Sequence, residues 1–474
     1  MSTPVVGDER ARLHQDANLL TRLDRMPMTK TIWGILILLV LGWLVESFDI
    51  GVVGTIILDL KKIWHLTPSS VGLLGISSTL GVVVGLIPAG RIADRFGRKT
   101  VLLWGMAIFS IFTVASVLAY GLPSLFVLRF LAGLGEGAVF PIPYLMFSEF
   151  VNANKRTTAN GWAELVLTAG YTLPSLTGLW AITTFPLALA WKVPLYIGAI
   201  PLLLLIPLWI WVPESPRFLL KHNKADQVKR FVHHLEDEAH LSHDETLLNP
   251  QILEVLQQSE HQRIKPSVLF HRPYLMRSFV SYAALTSTFV VWYALLTYAP
   301  TIFTLMGAKA GTALLFTSGM MFIAGFGALL QGFLGDKFGR RTVHISYMVL
   351  SGLALFVLSL KLPISIVVSA AIITALLGLG GFSIPKIYVA EQYPTRLRGT
   401  GVAFGELTSR FLTGVVLIYF IPTMLATWHV TVTFAILAGV MILLVLPMAL
   451  FGSETARKSV EETGTQIIES PPLV

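Results

Sequence analysis

Five charged residues stand deep inside long apolar segments of this 474-residue chain: Glu46, Asp49, Arg129, Glu136 and Arg410. A charge at the centre of such a segment costs at least ~2.5–3.5 kcal/mol in hydrocarbon, so each needs a partner or a use. Glu46 and Asp49 are three residues apart and share one face of a helix. Two desolvated carboxylates that close cannot both hold their charge, so at least one loads and releases a proton; permanent pairing with Arg or Lys is the alternative. Arg129 and Glu136 are seven apart with Gly133 between them, about two turns and ~10 Å along one face. They read either as a proton relay, in which the guanidinium alters the carboxylate's hold on its proton, or as a structural pair between helices. Arg410 has only Glu406, one turn earlier, as an acid close in sequence. Its planar fork of donors suits a carboxylate, which points to an anionic ligand, with an internal Glu406–Arg410 pair as the competing reading. Aromatic residues would complete a site: Trp292, Tyr293 and Tyr298 in one segment, Tyr144 after Glu136, and Trp162 with Tyr171 in the next. A flat ring offers stacking area and a polar donor, although such residues also collect at membrane interfaces. Tyr293, in mid-segment beside Trp292, is the first choice among them.

The elements that carry these residues must be membrane helices. The chain is 54% hydrophobic and 13% charged with mean hydropathy +0.71, against about 25% charged residues in soluble proteins. Apolar stretches of spanning length recur about twelve times. They cover 31–59, 70–90, 100–120, 122–147, 158–182 and 190–212, then 278–304, 311–334, 342–360, 364–388, 399–424 and 428–451. Hydrocarbon offers backbone amides no partners, so the fold class is an all-α membrane protein. The organisation expected is a tail over 1–30, a six-helix bundle over 31–212, a linker with short helices over 213–277, a second bundle over 278–451 and a tail over 452–474. The first 30 residues are polar, and the stretch from Thr31 is too long and acid-containing for a cleaved signal core. With the N-terminus inside, 27 of the 35 Lys and Arg fall in cytoplasmic tails and loops. Five lie in outer loops (Lys61, Lys62, Lys192, Lys309, Lys361) and three within spans (Arg129, Lys386, Arg410). Both termini are therefore expected in the cytoplasm. The basic balance is this topological bias rather than a nucleic-acid footprint. Lys386, at the inner end of span ten, is expected to snorkel to the interface. The linker holds seven of the eleven histidines at irregular spacing, which reads as a solvated segment. There is no Cys, nucleophile elbow, phosphate loop or ligand-spaced His cluster. No enzyme, cofactor or metal site is expected.

An offset of 242 residues relates the two halves. It carries Asp94 onto Asp336, Gly97 onto Gly339, Arg98 onto Arg340, Glu149 onto Glu391, Arg156 onto Arg398 and Glu164 onto Glu406. A repeat this long, in an apolar chain, belongs to transporters rather than to solenoids. Asp94, Arg98, Glu149, Arg156, Glu214 and Arg217 fall at cytoplasmic helix ends, and Asp336, Arg340, Glu391, Arg398 and Glu454 repeat the set.

The run G-R-I-A-D-R-F-G-R-K from Gly90, echoed as G-F-L-G-D-K-F-G-R-R from Gly332, resembles the signature of the major facilitator superfamily. P-E-S-P-R at Pro213–Arg217, with a weaker counterpart G-S-E-T-A-R at Gly452–Arg457, is similar to that of its sugar-porter-like and organic-acid branches. E-S-F-D at Glu46–Asp49, R-F-L-A-G-L-G-E-G-A-V-F-P from Arg129 and Y-P-T-R-L-R-G-T-G before Arg410 resemble the aromatic-acid and organic-acid:proton symporters. An Arg twelve residues after Arg398 also marks animal organic-anion transporters. Two departures stand out: Glu46 and Ser47 replace the Asp and Gly of the first motif, and Glu136 stands where an apolar residue is usual. The resemblance implies twelve helices in two pseudo-symmetric bundles, a site between them near mid-membrane, and access to it alternating between the two faces. It implies Asp49 as the proton carrier and Arg129 as a coupling residue. The helix-end charges would be networks that hold the cytoplasmic gate shut when the site faces out.

The expected function is proton-coupled uptake of a small organic anion through the plasma (inner) membrane by a monomer. Arg410 would hold the carboxylate, aromatic rings would sandwich the body, and Asp49, Glu46, Arg129 and Glu136 would couple the proton. A proton-driven drug or metabolite exporter would use the same acids and differs in transport direction. A sugar or polyol symporter is disfavoured because span seven, T-S-T-F-V-V-W-Y-A-L-L-T-Y-A-P, lacks the amides a sugar needs. A non-transporting sensor would bind ligand without moving it.

Overall fold

A computed structural model describes residues 4–455 apart from 152, 251, 254–265, 273, 361 and 394. The expected tail beyond residue 455 lies outside the described residues. Ten apolar helices cross in turn: Lys30–Ile63, Pro68–Phe96, Arg98–Leu118, Leu122–Phe147, Trp162–Thr184, Leu187–Trp211, Tyr274–Leu305, Ala310–Phe338, Arg340–Leu358 and Ser365–Glu391. The next stretch, Leu397–Phe451, has 55 residues, roughly 80 Å of helix and far more than one crossing requires. It breaks at His429, with φ 61° and ψ 172°, so it makes spans eleven and twelve. The fold is all-α with twelve crossings.

Local chemistry sets the ends of these helices. Thr29 and Thr67 cap spans one and two, their side chains accepting hydrogen bonds from the Ile32 and Ser70 amides. Gly97 (φ 99°) and Gly339 (φ 97°) hold the left-handed turns between spans two and three and between eight and nine. Each turn is locked the same way. Glu214 accepts from the Arg98 and Lys99 amides at 2.9 and 3.0 Å, and Glu454 from the Arg340 and Arg341 amides at 2.8 and 3.1 Å. A carboxylate on a helix N-terminus satisfies orphan donors and meets the positive end of the helix dipole. The duplication seen in sequence is thus one device built twice.

Span two packs along span four and span one along span five, while span seven lies against the Leu397–Phe451 stretch that makes spans eleven and twelve. Across the halves, span five meets span eight and span two meets span eleven. Span seven is buried on nearly all sides, so its polar and aromatic residues face protein rather than lipid. On the face opposite the termini the halves are in close contact. A Cβ on Gly54 would lie 2.6 Å from the Leu296 carbonyl oxygen and one on Gly72 2.3 Å from that of Tyr419. Only glycine permits these approaches.

The polar N-terminal stretch and the linker are not solvated extensions. Pro4–Asp24 is a helix that lies on the linker helix Ala225–Glu238. Leu19, Leu23 and Met26 pack with Val228, Val232 and Leu235 in one core. Arg22 donates to both Glu236 oxygens at 2.7 and 2.5 Å, both side chains being buried. Asn18 donates to the Asp244 and Leu247 carbonyls. The linker brings ligand atoms of His233, Glu236 and His243 within 4.8 Å of one another, but Arg22 already engages both oxygens of Glu236. Arg22→Ala would leave Glu236 buried and unpaired, at a cost of about 3–5 kcal/mol to this subdomain. Trypsin should then cut within the linker helix, at Lys229 and Arg230, faster than in the wild type; an unchanged cleavage rate would show that the pair does not hold the two helices together.

Candidate functional site

Glycines in spans two and four bring the buried charges together. A Cβ on Gly133 would lie 2.0 Å from the Ser78 carbonyl oxygen, so span four runs directly against span two. Arg129 then reaches three residues on three neighbouring spans through five hydrogen bonds. Its Nε donates to Ser78 Oγ at 3.0 Å, and Nη1 to Asp49 Oδ1 at 3.2 Å and Thr113 Oγ1 at 2.8 Å. Its Nη2 donates to Asp49 Oδ2 at 2.9 Å and to the Asp49 carbonyl at 3.1 Å. All five guanidinium donors are used, which is what lets a fully buried Arg exist here.

Glu136 Oε1 lies 3.8 Å from Arg129 Nη2, beyond hydrogen-bonding distance. Both Glu136 oxygens, and both of Glu46, are buried without an amide, hydroxyl or cationic donor, and Glu136 lies beside the Asp49 carboxyl. Glu46 lies within electrostatic reach of Asp49 on one side and Arg410 on the other. Arg410 Nε donates to Glu406 Oε2 at 3.1 Å and Nη1 to the Tyr293 hydroxyl at 3.2 Å. Its guanidinium lies between the rings of Phe140, 4.0 Å away, and Phe289, 5.2 Å away. Around it Tyr171, Phe289, Trp292, Tyr293 and Phe382 make a continuous set of ring contacts with centroids 4.8–6.1 Å apart. Gly414 lets Tyr293 approach, since a Cβ there would lie 2.7 Å from the tyrosine ring. The helix widens to π geometry at Phe411–Leu417, directly after Arg410, and at Thr374–Leu379, shortly before Phe382.

Charge balance defines what the site can do. Glu46, Asp49, Glu136 and Glu406 face Arg129 and Arg410, all six being buried, while the nearby Lys386 has its own acid in Glu164. Four acids against two guanidinium groups leave a surplus of two negative charges in a dry volume, unless protons neutralise them.

Several sequence candidates fall elsewhere. Tyr298 donates to the Ile418 carbonyl at 3.1 Å and packs on Gly75, which ties the halves together on the face opposite the termini. Trp162 is 66% exposed and makes no described contact with the ring cluster. The side chains of Tyr144 and Arg156 lie outside the described residues. The helix-end charges pair inside each half, Arg98 with Glu149 and Arg340 with Glu391, with Asp336 3.9 Å from Arg340. Asp94 meets Lys221 at 3.7 Å, and Arg217 lies in the field of Asp24. Arg398 is half-buried. Lys386 does not reach out to the interface: its Nζ bonds Glu164 Oε1 at 3.2 Å, across the two halves. Phe140, Phe289, Phe382, Ser78 and Thr113 carry no charge and gave no signal in sequence beyond their lying in apolar segments.

The partner assignment makes a stability test. Asp49→Asn removes the one anion bonded to Arg129 and is expected to cost about 3–5 kcal/mol. Glu136→Gln removes an acid with no described donor and should leave the melting temperature in detergent unchanged or higher. Equal losses in the two variants would contradict the assignment.

Comparison with known proteins matches this architecture. The family model for the sugar (and other) transporter family covers residues 35–466. The niacin transporter NiaP of Acinetobacter baylyi is 23% identical over 94% of this chain and 100% of that protein. The 4-hydroxybenzoate transporter PcaK of Pseudomonas putida is 26% identical over 82% of this chain and 85% of its own. The crystal structure of a D-xylose–proton symporter superposes with a TM-score of 0.72 at 20% identity, covering 91% of this chain and 100% of that one. With its twelve crossings, its duplicated helix-end locks and a charged centre between the halves, the chain belongs to the sugar (and other) transporter family of the major facilitator superfamily and is a multi-pass membrane transporter of a small molecule, not an enzyme.

Proposed function

We propose that this transporter takes up a small organic anion, an aromatic or other monocarboxylate, together with protons. It works as a monomer in the plasma (inner) membrane with both termini cytoplasmic. The observation that carries the reading is Arg410: a buried guanidinium set among aromatic rings, with Tyr293 beside it and an edge left for a second carboxylate. The relatives named for niacin and 4-hydroxybenzoate support it, since both compounds are aromatic carboxylates.

The charge surplus supplies the coupling. An anion entering a centre that already has four acids for two guanidinium groups adds a third uncompensated negative charge. It enters only with protons, and Glu136 and Glu46, the two acids without donors, take them. Asp49, first choice in the sequence, acts through its bond to Arg129, which lies inside one half: while Asp49 holds the guanidinium Glu136 keeps its proton, and a shift of Arg129 toward Glu136 within that half drives the proton off. Moving the anion with a proton removes its charge from the membrane field, worth about 2.3 kcal/mol per 100 mV. The helix-end pairs, including Arg98–Glu149 and Arg340–Glu391, keep each bundle rigid while it moves.

The test is uptake into proteoliposomes of labelled benzoate, nicotinate, acetate and xylose, with and without an inward proton gradient. Wild type should accumulate carboxylates only with the gradient. Arg410→Ala should lose uptake by at least about thirtyfold, the scale of truncating a buried charge partner. Glu136→Gln should keep counterflow exchange and lose gradient-driven accumulation. Transport of xylose with no carboxylate uptake would overturn the proposal.

A further inference from the structure

Glu164 and Glu406 occupy repeat-related positions 242 residues apart, yet they find their cations differently. Glu406 is held by Arg410, four residues on in the same helix, at 3.1 Å. The matching place in span five is Thr168, whose hydroxyl donates to the Glu164 carbonyl at 2.8 Å and not to its carboxylate. Lys386 of span ten supplies the cation from the opposite half, Nζ to Oε1 3.2 Å. Rocking of the two halves therefore breaks this pair and spares the other.

Lys386 and Glu164 also stand where a latch would. Their side chains are 30% and 32% exposed, whereas the Arg129 group is sealed, so they border water on the termini-bearing side of the site. The ammonium lies 5.5 Å from the Phe382 ring, and Phe382 touches Phe289 and Trp292 of the ring cluster. Glu406 and Arg410 both act on the Lys386 charge, so it is electrically joined to the anion position. With the opposite face closed at Gly54, Gly72 and Tyr298, this is the side on which access remains to be controlled.

We infer that Lys386 and Glu164 form the latch of the site on the termini-bearing face, and that an anion seated at Arg410 opens it by drawing the ammonium from Glu164. The trigger rests on the anion site proposed above; the latch does not.

The chain has no cysteine, so a single Thr168→Cys reporter, one turn from Glu164, reads access by maleimide labelling in nanodiscs. Ser69→Cys, exposed at the start of span two, is the control. Lys386→Gln and Glu164→Gln should each speed reporter labelling about two- to fivefold, the scale of one partly exposed pair. The swap Lys386→Glu with Glu164→Lys should restore the wild-type rate. Unchanged labelling in the single variants, or equal acceleration at the control, would overturn the latch. Benzoate should speed labelling in wild type and not in Arg410→Ala. If the single variants speed labelling and benzoate does not, the latch stands and the anion trigger is overturned.

Discussion

The Arg129–Asp49 bond is the constraint on which the centre of this protein depends. A guanidinium without water must find a partner for every donor, and Arg129 finds five acceptor contacts on spans one, two and three. Those contacts fix the helix phases. Span four must approach span two closely enough for Ser78, hence Gly133, and span one must turn both Asp49 oxygens inward. Turning span one this way also buries Glu46, one helical turn earlier, beside Arg410 of the other half. One ion pair thus places the acids that remain unpaired, and the unpaired acids are what make the centre sensitive to protons.

The two halves share a scaffold and differ in their chemistry. Glu214 and Glu454 lock equivalent helix ends through equivalent backbone amides, so the rigid parts obey the repeat. At mid-membrane the repeat is broken. The first half holds Arg129, Asp49, Glu46 and Glu136; the second holds Arg410 within an aromatic shell. Glu164 and Glu406 mark the divergence most sharply, equivalent acids with cations from different halves. Such an arrangement suits alternating access, because pairs inside a bundle persist while pairs between bundles bias which state is populated.

Much of this was legible in the chain because hydrocarbon makes charge conspicuous. Each residue that builds the centre with a charge, Glu46, Asp49, Arg129, Glu136 and Arg410, stands out from an apolar segment by type alone. Depth along a helix could also be read, since residue number sets it. What could not be read was helix phase relative to the other bundle. Lys386 lies near a helix end and was expected to reach outward, but Glu164, 222 positions away in sequence, meets it across the interface. Trp162 has the right type but opens span five, nine residues before Tyr171, and is exposed away from the ring cluster. The phenylalanines beside Arg410 were invisible for the opposite reason: among 28 of them nothing in type distinguishes Phe140, Phe289 and Phe382. The N-terminal helix was hidden by its polar average, although Leu19, Leu23 and Met26 already marked a face that the linker covers.

Proton linkage to anion binding tests the account most directly. Isothermal titration of purified protein with benzoate, run in two buffers of different ionisation enthalpy, counts protons taken up per anion bound. Four acids set against two guanidinium groups predict an uptake of about one proton between pH 6 and 8, reduced in Glu136→Gln, where Glu46 is the acid left to take it. Benzoate binding with no proton uptake anywhere in that range, or with the same uptake in the variant, would contradict it.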